Sequence, residues 1–266
     1  MDRDRLHETL ADELWEAERT GVAVEPLSSR HELDITDAYA VQTRNVERKL
    51  AGGARMIGRK VGLTSRPMQQ VLGVDEPDYG VLFDDMVVED GDEIPLSRLL
   101  QPRVEAEPAF VLERDLAGPG VTAGTALAAI AGVLPSIEVV DSRVADWKIK
   151  LVDTVADNAS CGLLVLGGRM RKVDEVDLRL LGVVVSRAGE VVDTGAGAAV
   201  LGNPVRCVAW LANKLAAFGT SLRAGDVVLP GSPHRMVPVR PGDVFRAEFA
   251  HVGAVTARFS NGAMPS

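Results

Sequence analysis

The chain is poor in the residues that build soft-metal, redox and stacking sites: 2 cysteines, 4 histidines and 4% aromatics in 266 residues. Cys161 and Cys207 form no C-x-x-C pair, which excludes a disulfide framework and a thiolate zinc ribbon. Two free thiols in a reducing, cytoplasmic setting are the expectation. His7, His31, His234 and His251 stand apart, not at zinc-ligand spacing. No apolar run reaches the roughly 20 residues that span a bilayer. The stretch up to Arg19 is charged throughout and lacks the apolar centre of a signal peptide. Positive charge is also scarce, 29 Lys and Arg against 38 Asp and Glu, a net charge of −9. Nucleic acid needs clustered cations and is excluded as a partner. The same deficit makes an anionic substrate hard to hold unless something cationic sits in the site.

What is present suffices for one large core, or one core plus a small lobe: 46% of residues are hydrophobic and 25% charged. Leu6, Leu10 and Leu14 repeat at helical spacing, with Gly21 as a stop. Tyr39, Gln42, Val46 and Leu50 mark one side of a second helix, ended by Gly52-Gly53. These helices and the first strand are read as an N-terminal lobe over residues 1–70, with a catalytic core over 71–266. From about Ala54 the pattern changes to short strands separated by Gly, Asp and Pro turns. Strands are expected over 55–63, 81–88, 104–112, 137–140, 163–166, 178–186, 227–229, 244–250 and 254–259. Arg187-Ala188-Gly189-Glu190 reads as a hairpin turn. Arg223-Ala224-Gly225-Asp226 and Arg240-Pro241-Gly242-Asp243 share one turn chemistry without being a true repeat. Helices are expected over 123–133, capped by Thr122, and over 204–218, capped by Asn203 and stopped by Gly219. Asn261–Ser266 reads as a loose tail. Many strands with few intervening helices argue for a β-rich α+β core, a curled mixed sheet with helices outside.

The informative segment is Arg103-Val104-Glu105-Ala106-Glu107-Pro108-Ala109-Phe110-Val111-Leu112. In a strand, residues two apart point the same way, so Glu105 and Glu107 project side by side. Neighbouring carboxylates repel, and a hard divalent cation removes the repulsion. Glu138, within Ile137-Glu138-Val139-Val140, is a charge inside an apolar run and costly to bury alone. Three carboxylates with water suit Mg²⁺ or Mn²⁺ better than zinc. An E-x-E strand is also the pattern of a solvent-facing acidic stripe, and spacing does not separate the two readings. Pro108 removes a ladder donor and implies an edge or a bulge.

Several stretches, in order along nearly the whole chain, resemble the hydratase/decarboxylase branch of the fumarylacetoacetate hydrolase superfamily. They are Gly58-Arg59-Lys60-Val61-Gly62-Leu63-Thr64-Ser65, Gly73-Val74-Asp75-Glu76-Pro77-Asp78-Tyr79-Gly80, Gln101-Pro102-Arg103-Val104-Glu105-Ala106-Glu107, Pro135-Ser136-Ile137-Glu138-Val139-Val140-Asp141-Ser142-Arg143 and Asp153-Thr154-Val155-Ala156-Asp157-Asn158-Ala159-Ser160-Cys161-Gly162. Within the branch the likeness is greatest to hydratases of 2-hydroxypenta-2,4-dienoate. The resemblance implies an α+β fold with a β-roll catalytic core and a small helical N-terminal lobe. It implies Glu105, Glu107 and Glu138 as ligands of Mg²⁺ or Mn²⁺, and a small anionic 2-hydroxydienoic or 2-oxo acid as substrate. It further implies water addition giving 4-hydroxy-2-oxopentanoate in meta-cleavage degradation of aromatic compounds, a homo-oligomer, and association with a sister decarboxylase or aldolase. Pro108 and the loop Leu229-Pro230-Gly231-Ser232-Pro233-His234 depart from the family pattern and leave the substrate side chain open.

Lys60 shares one strand face with Gly58 and Gly62, an uncrowded setting, and is the candidate for proton transfer. Near a cation and partly desolvated, its pKa is expected to fall. A strand-edge surface lysine has the same spacing. Asp78 is a second acid–base candidate, or a turn aspartate capping its own backbone. Ser160 is a candidate for the substrate carboxylate, or a structural hydroxyl. Asp141, Asp153 and Asp157 are read as surface partners of Arg143 or Lys148, with outer contacts to the metal site as the alternative. Three other activities stay open: a 4-oxalocrotonate-type 2-oxo-3-enedioate decarboxylase, an acylpyruvate-type C–C hydrolase, and a non-catalytic partner subunit.

Overall fold

The computed structural model describes residues 2–264, apart from the side chains of Met68, Val71 and Leu72. Met1 and the last two residues of the expected tail, Pro265 and Ser266, lie outside the described residues. The chain opens with α1 (Arg3–Thr20), α2 (Leu27–Arg30) and α3 (Ile35–Ala51). There follow β1 (Met56–Gly62), α4 (Arg66–Leu72), β2 (Asp78–Phe83), β3 (Val87–Glu89), β4 (Glu93–Ile94), β5 (Arg103–Leu112), α5 (Ala123–Ala129) and β6 (Ile130–Val140). The remainder is α6 (Leu151–Ala156), β7 (Cys161–Leu166), β8 (Arg171–Lys172), β9 (Gly182–Arg187), β10 (Glu190–Ala196), α7 (Val205–Ala216), β11 (Val227–Leu229), β12 (Val237–Pro238), β13 (Val244–Phe249) and β14 (Gly253–Phe259).

The N-terminal helices form where the sequence signals them. Leu6, Leu10 and Leu14 are buried along α1, and Gly21 closes it at φ 73°. A capping box between Asp34 and Asp37 starts α3. Arg44 and Arg48 of α3 pair with Asp4, Glu8 and Asp12 of α1. Gln42 of α3 is buried, and its amide donates to the carbonyls of Tyr79 (3.0 Å) and Val155 (2.9 Å). This side chain ties the helices to β2 and α6.

Among the described residues the strands make two mixed sheets. The larger runs β2-β1-β11-β5-β6-β7-β3, with β12 added to β5 and β8 to β6. The smaller runs β10-β9-β13-β14-β4. Val104, Ala106, Ile137 and Val139 from one face of β5 and β6 share a core with Val183, Val185, Phe245, Ala247, Val255 and Ala257 of the smaller sheet. That is the period-2 burial expected of packed sheets, and the curled α+β architecture agrees with the expectation. The two Arg-x-Gly-Asp turns do use one chemistry: Asp226 and Asp243 each accept from the N–H three residues back, of Arg223 and Arg240.

Three element boundaries differ from expectation. The helix from Ala123 stops at Ala129, and residues 130–133 already belong to β6. Ile130 and Val133 are β-branched, Gly132 is a poor helix former, and β5 offers this stretch a ladder. Residues 178–181 are not strand: the Asp177 carboxylate accepts from the N–H groups of Arg179 and Leu180 and holds a turn. The expected strand 81–88 is interrupted by a single 3-10 turn at Asp84–Met86.

Candidate metal centre

Strands β5 and β6 pair antiparallel in a register that sets Glu105 directly opposite Glu138 and Glu107 opposite Ser136. Because Val104, Ala106, Ile137 and Val139 face the core, all three glutamates must leave by the other face of the sheet. There each offers an oxygen, and the oxygens lie within 4.8 Å of one another. Glu107 and Glu138 are buried and Glu105 half-buried. Like charges directly across a ladder destabilise a sheet, and these are also shielded from water. Burial and the Glu138 charge push the Glu105 carboxyl up to about 7, and burial with both neighbours pushes Glu107 well above the ordinary range. Neither oxygen of Glu138 has a hydrogen bond among the described residues. Converging hard donors, mutual repulsion and buried oxygens without hydrogen bonds are what a bound metal cation resolves, so the cluster fits a metal ion.

Lys60 reaches the same place from β1. It is buried, with Nζ 3.0 Å from the Ala159 carbonyl and 3.3 Å from Glu138 Oε1. Burial alone would lower its pKa, but the charges of Glu138 and Asp78 more than offset this and raise it. This direction belongs to the carboxylates alone, whereas the expected fall was argued for a lysine beside a bound cation. Asp78 is buried beside Lys60, and its Oδ1 has no hydrogen bond among the described residues. Burial raises its pKa against the lowering effect of Lys60. A Cβ on Gly62 would come within 2.2 Å of Asp78 Oδ1, so only glycine admits that carboxylate.

Asn158, Ala159 and Ser160 all have φ of 52°, a left-handed turn that residues with side chains seldom adopt. The Asn158 side chain holds it by accepting from the Val81 N–H (2.7 Å) and donating to the Val81 carbonyl (2.9 Å). The turn delivers the Ala159 carbonyl to Lys60. The Ser160 hydroxyl lies 3.3 Å from Thr154 Oγ1 and 3.4 Å from Asp157 Oδ2.

The neighbouring acidic residues are not surface partners. Arg143 and Asp157 form a buried ion pair. Asp141 accepts from the N–H groups of Leu100 and Gln101, and Asp153 from Ser28. Lys148 pairs at the surface with Asp146. Cys161 and Cys207 are free, as read from the sequence, and both are buried. The main missed residues are Asn158, Gly231 and Arg103. The Gly231 N–H donates to Glu107 Oε2 at 2.6 Å. Arg103 lies on the strand face of Glu105, with its guanidinium 4.4 Å from the Trp147 ring. Asn158 carries the one legible signal, since asparagine tolerates left-handed backbone better than most residues.

His234 sits on the opposite edge of β5 from β6. Its Nε2 lies 2.8 Å from the Ala106 nitrogen and its Nδ1 2.7 Å from the Arg235 carbonyl. Burial pushes its pKa below the ordinary histidine value. In this arrangement Nδ1–H donates and Nε2 accepts, so both ring nitrogens are engaged. No helix among the described residues is long and apolar enough to cross a membrane.

Comparison with known proteins adds four findings. The fumarylacetoacetate (FAA) hydrolase C-terminal family matches residues 48–260. A 2-keto-4-pentenoate hydratase of Paraburkholderia xenovorans is 48% identical over 258 residues, 97% of this chain and 96% of the relative. A 2-hydroxypent-2,4-dienoate hydratase of Pseudomonas putida is 52% identical over 221 residues, 82% of this chain and 99% of the relative. Among solved structures, 4-oxalocrotonate decarboxylase from Pseudomonas putida G7, complexed with magnesium and adipate, superposes with a TM-score of 0.94. That protein is 42% identical, and the match covers 97% of this chain and 98% of the other.

Proposed function

The chain belongs to the fumarylacetoacetate (FAA) hydrolase C-terminal family, and from that premise we propose that it is a metal-dependent hydratase, a carbon–oxygen lyase. Its substrate is 2-hydroxypenta-2,4-dienoate or a close analogue, and its product 4-hydroxy-2-oxopentanoate or the matching homologue. The observation that carries this reading is the convergence of Glu105, Glu107 and Glu138 within 4.8 Å beside the ammonium of Lys60, in a chain about half identical to hydratases of such acids. The ion is assigned as Mg²⁺, with Mn²⁺ as the alternative, because the donors are all carboxylate oxygens. A cytoplasmic homo-oligomer is part of the same proposal.

The reaction needs two proton relocations. Ketonisation breaks the enol O–H bond and forms a C–H bond at C5, giving the conjugated 2-oxopent-3-enoate. Hydration then places the water oxygen on C4 and a proton on C3. When bound, a divalent cation would supply stabilisation for the negative charge that gathers on the 2-oxo oxygen and carboxylate. Lys60 and Asp78 are assigned the proton transfers. Lys60 is held by Ala159 and Glu138, so its ammonium points into the carboxylate cluster. Asp78, raised by burial, keeps a proton closer to neutrality than a surface aspartate does. Ser160 is assigned to the substrate carboxylate, to which its hydroxyl would donate in place of its present contacts with Thr154 and Asp157.

A decarboxylase is the second reading, favoured by the 42% identical solved structure. Acylpyruvate hydrolysis is not supported, because it rested on a histidine free to activate water, and both nitrogens of His234 are engaged. The deciding assay supplies purified protein and Mg²⁺ with 2-hydroxypenta-2,4-dienoate or with 4-oxalocrotonate. Formation of 4-hydroxy-2-oxopentanoate without CO₂ release is expected. CO₂ from the dicarboxylate alone would establish the second reading. Failure with both acids and with every longer 2-hydroxydienoate would favour a non-catalytic partner.

A further inference from the structure

The edge of β5 that faces away from β6 is covered in two pieces. Near its end, Phe110 and Val111 pair with β11; at its start, Arg103 and Val104 pair with β12. Between them, residues 105–109 meet no strand on that edge, and this is where the glutamates sit. Along an antiparallel strand every second residue turns its N–H and carbonyl to the same edge. Val104 and Phe110 face this edge, so Ala106 and residue 108 do too. Residue 108 is proline and has no N–H to satisfy. One backbone donor is therefore left over, at Ala106, the peptide between Glu105 and Glu107.

The loop joining β11 to β12 fills this gap with side chains. His234 Nε2 accepts from the Ala106 N–H at 2.8 Å, and its Nδ1–H donates to the Arg235 carbonyl at 2.7 Å. That second bond fixes the tautomer that leaves Nε2 free to accept. The Ser232 hydroxyl donates to the Ala106 carbonyl at 3.4 Å and accepts from the His234 N–H at 3.3 Å. Gly231 donates to the Glu107 carboxylate at 2.6 Å. Gly231 has φ 105°, and a Cβ there would lie 2.0 Å from Thr64 Oγ1. The loop thus grips both the E-x-E peptide and one of its carboxylates.

We infer that His234 is a positioning residue of the carboxylate centre: it replaces the missing strand opposite Ala106 and holds Glu105 and Glu107 in the direction that meets Glu138. The inference rests on the reading of these glutamates as metal ligands and extends it to a residue outside the cluster. Losing the acceptor leaves the Ala106 N–H unpaired on the open edge of β5, and the strand there, held from then on mainly by β6, sets Glu105 and Glu107 less firmly. Partners that orient metal ligands typically contribute about 10- to 100-fold in metal affinity.

The test is Mg²⁺ titration of the full chain by calorimetry, which involves neither substrate nor product. His234→Phe keeps a ring and removes the acceptor, and it is expected to bind Mg²⁺ about 10- to 100-fold more weakly. His234→Gln places an amide oxygen near the Nε2 position and is expected to recover most of the affinity. Binding by His234→Phe within about twofold of wild type, or a His234→Gln as weak as His234→Phe, would overturn the inference. Nitrogen-15 NMR of the wild-type imidazole gives a reading that no folding defect can obscure. A proton on Nδ1 and none on Nε2 is expected, and the opposite tautomer overturns the inference. A wild-type protein that binds no Mg²⁺ removes the metal reading and this inference together. Normal Mg²⁺ binding without turnover of any dienoate removes only the hydratase reading.

Discussion

Glu105 and Glu138 stand directly across one ladder with Glu107 beside them, so each carboxylate adds to the cost of ionising the next. A single neutral replacement therefore separates function from stability. Glu105→Gln is expected to weaken Mg²⁺ binding and to lower turnover by at least about 100-fold. In the metal-free state at neutral pH it should melt no lower than wild type, because repulsion has been relieved. Lys60→Met keeps the side-chain length and removes the ammonium. It should bind Mg²⁺ no more weakly than wild type, since a repelling charge is gone, while turnover falls about 10²- to 10⁴-fold. Calorimetric titration and the hydration assay check both variants, and unchanged turnover in Lys60→Met would remove Lys60 from the chemistry. The E-x-E spacing and the isolated charge of Glu138 were legible as residues. The conformation of Asn158, Ala159 and Ser160 was not, because only Asn158 favours a left-handed backbone and nothing in Ala159 or Ser160 signals it. They are held by Val81 and Asp141, which are remote in sequence.

Helices with strong caps and the middles of most strands could be read from local pattern, but a strand end set by a distant partner could not. Helices α1 and α3 carry their apolar spacing, their stops and a capping box in contiguous residues. The start of β6 was read as helix because Thr122 and the alanines that follow signal one, and the ladder to β5 ends it where Ile130, Gly132 and Val133 weaken the helix. The α1–α3 pair also carries a pH signature. Burial pushes the Asp37 carboxyl up, but the Asp34 N–H, His7 and Arg3 more than offset this and hold it below the ordinary carboxylate value. A carboxyl lowered by folding stabilises the fold above its unfolded value, and the contribution fades as pH falls through the folded value. The window therefore opens below about pH 4. Asp37→Asn is expected to cost about 1 kcal/mol at pH 7, with the deficit closing in acid. Thermal melts across pH check this, and a deficit independent of pH would mean that the charge is not what matters.

At the scale of the whole molecule, two curled sheets share one core, and the face of β5 and β6 turned away from it becomes the centre. β1 brings Lys60 to the centre, the turn before β7 brings the Ala159 carbonyl, and the loop between β11 and β12 grips β5 from its edge. A ligand that joins so many parts binds only the folded chain, so saturating Mg²⁺ should raise the melting temperature. At about 100 times its dissociation constant the gain is about 2.7 kcal/mol, or several degrees for a chain of this size. Glu138→Gln should abolish that shift, and calorimetric melts with and without Mg²⁺ read it. The amino-acid sequence alone determined what local spacing can carry: the N-terminal helices, the β-rich core, the common face of Glu105 and Glu107, and the family likeness. Tertiary structure decided the β5–β6 register that puts Glu138 across from Glu105, the approach of Lys60 and Asp78, and the use of His234 on the Ala106 peptide. Those depend on ladders and contacts between residues some 30 to 130 positions apart, and spacing along a chain holds no record of which distant backbone will lie alongside it.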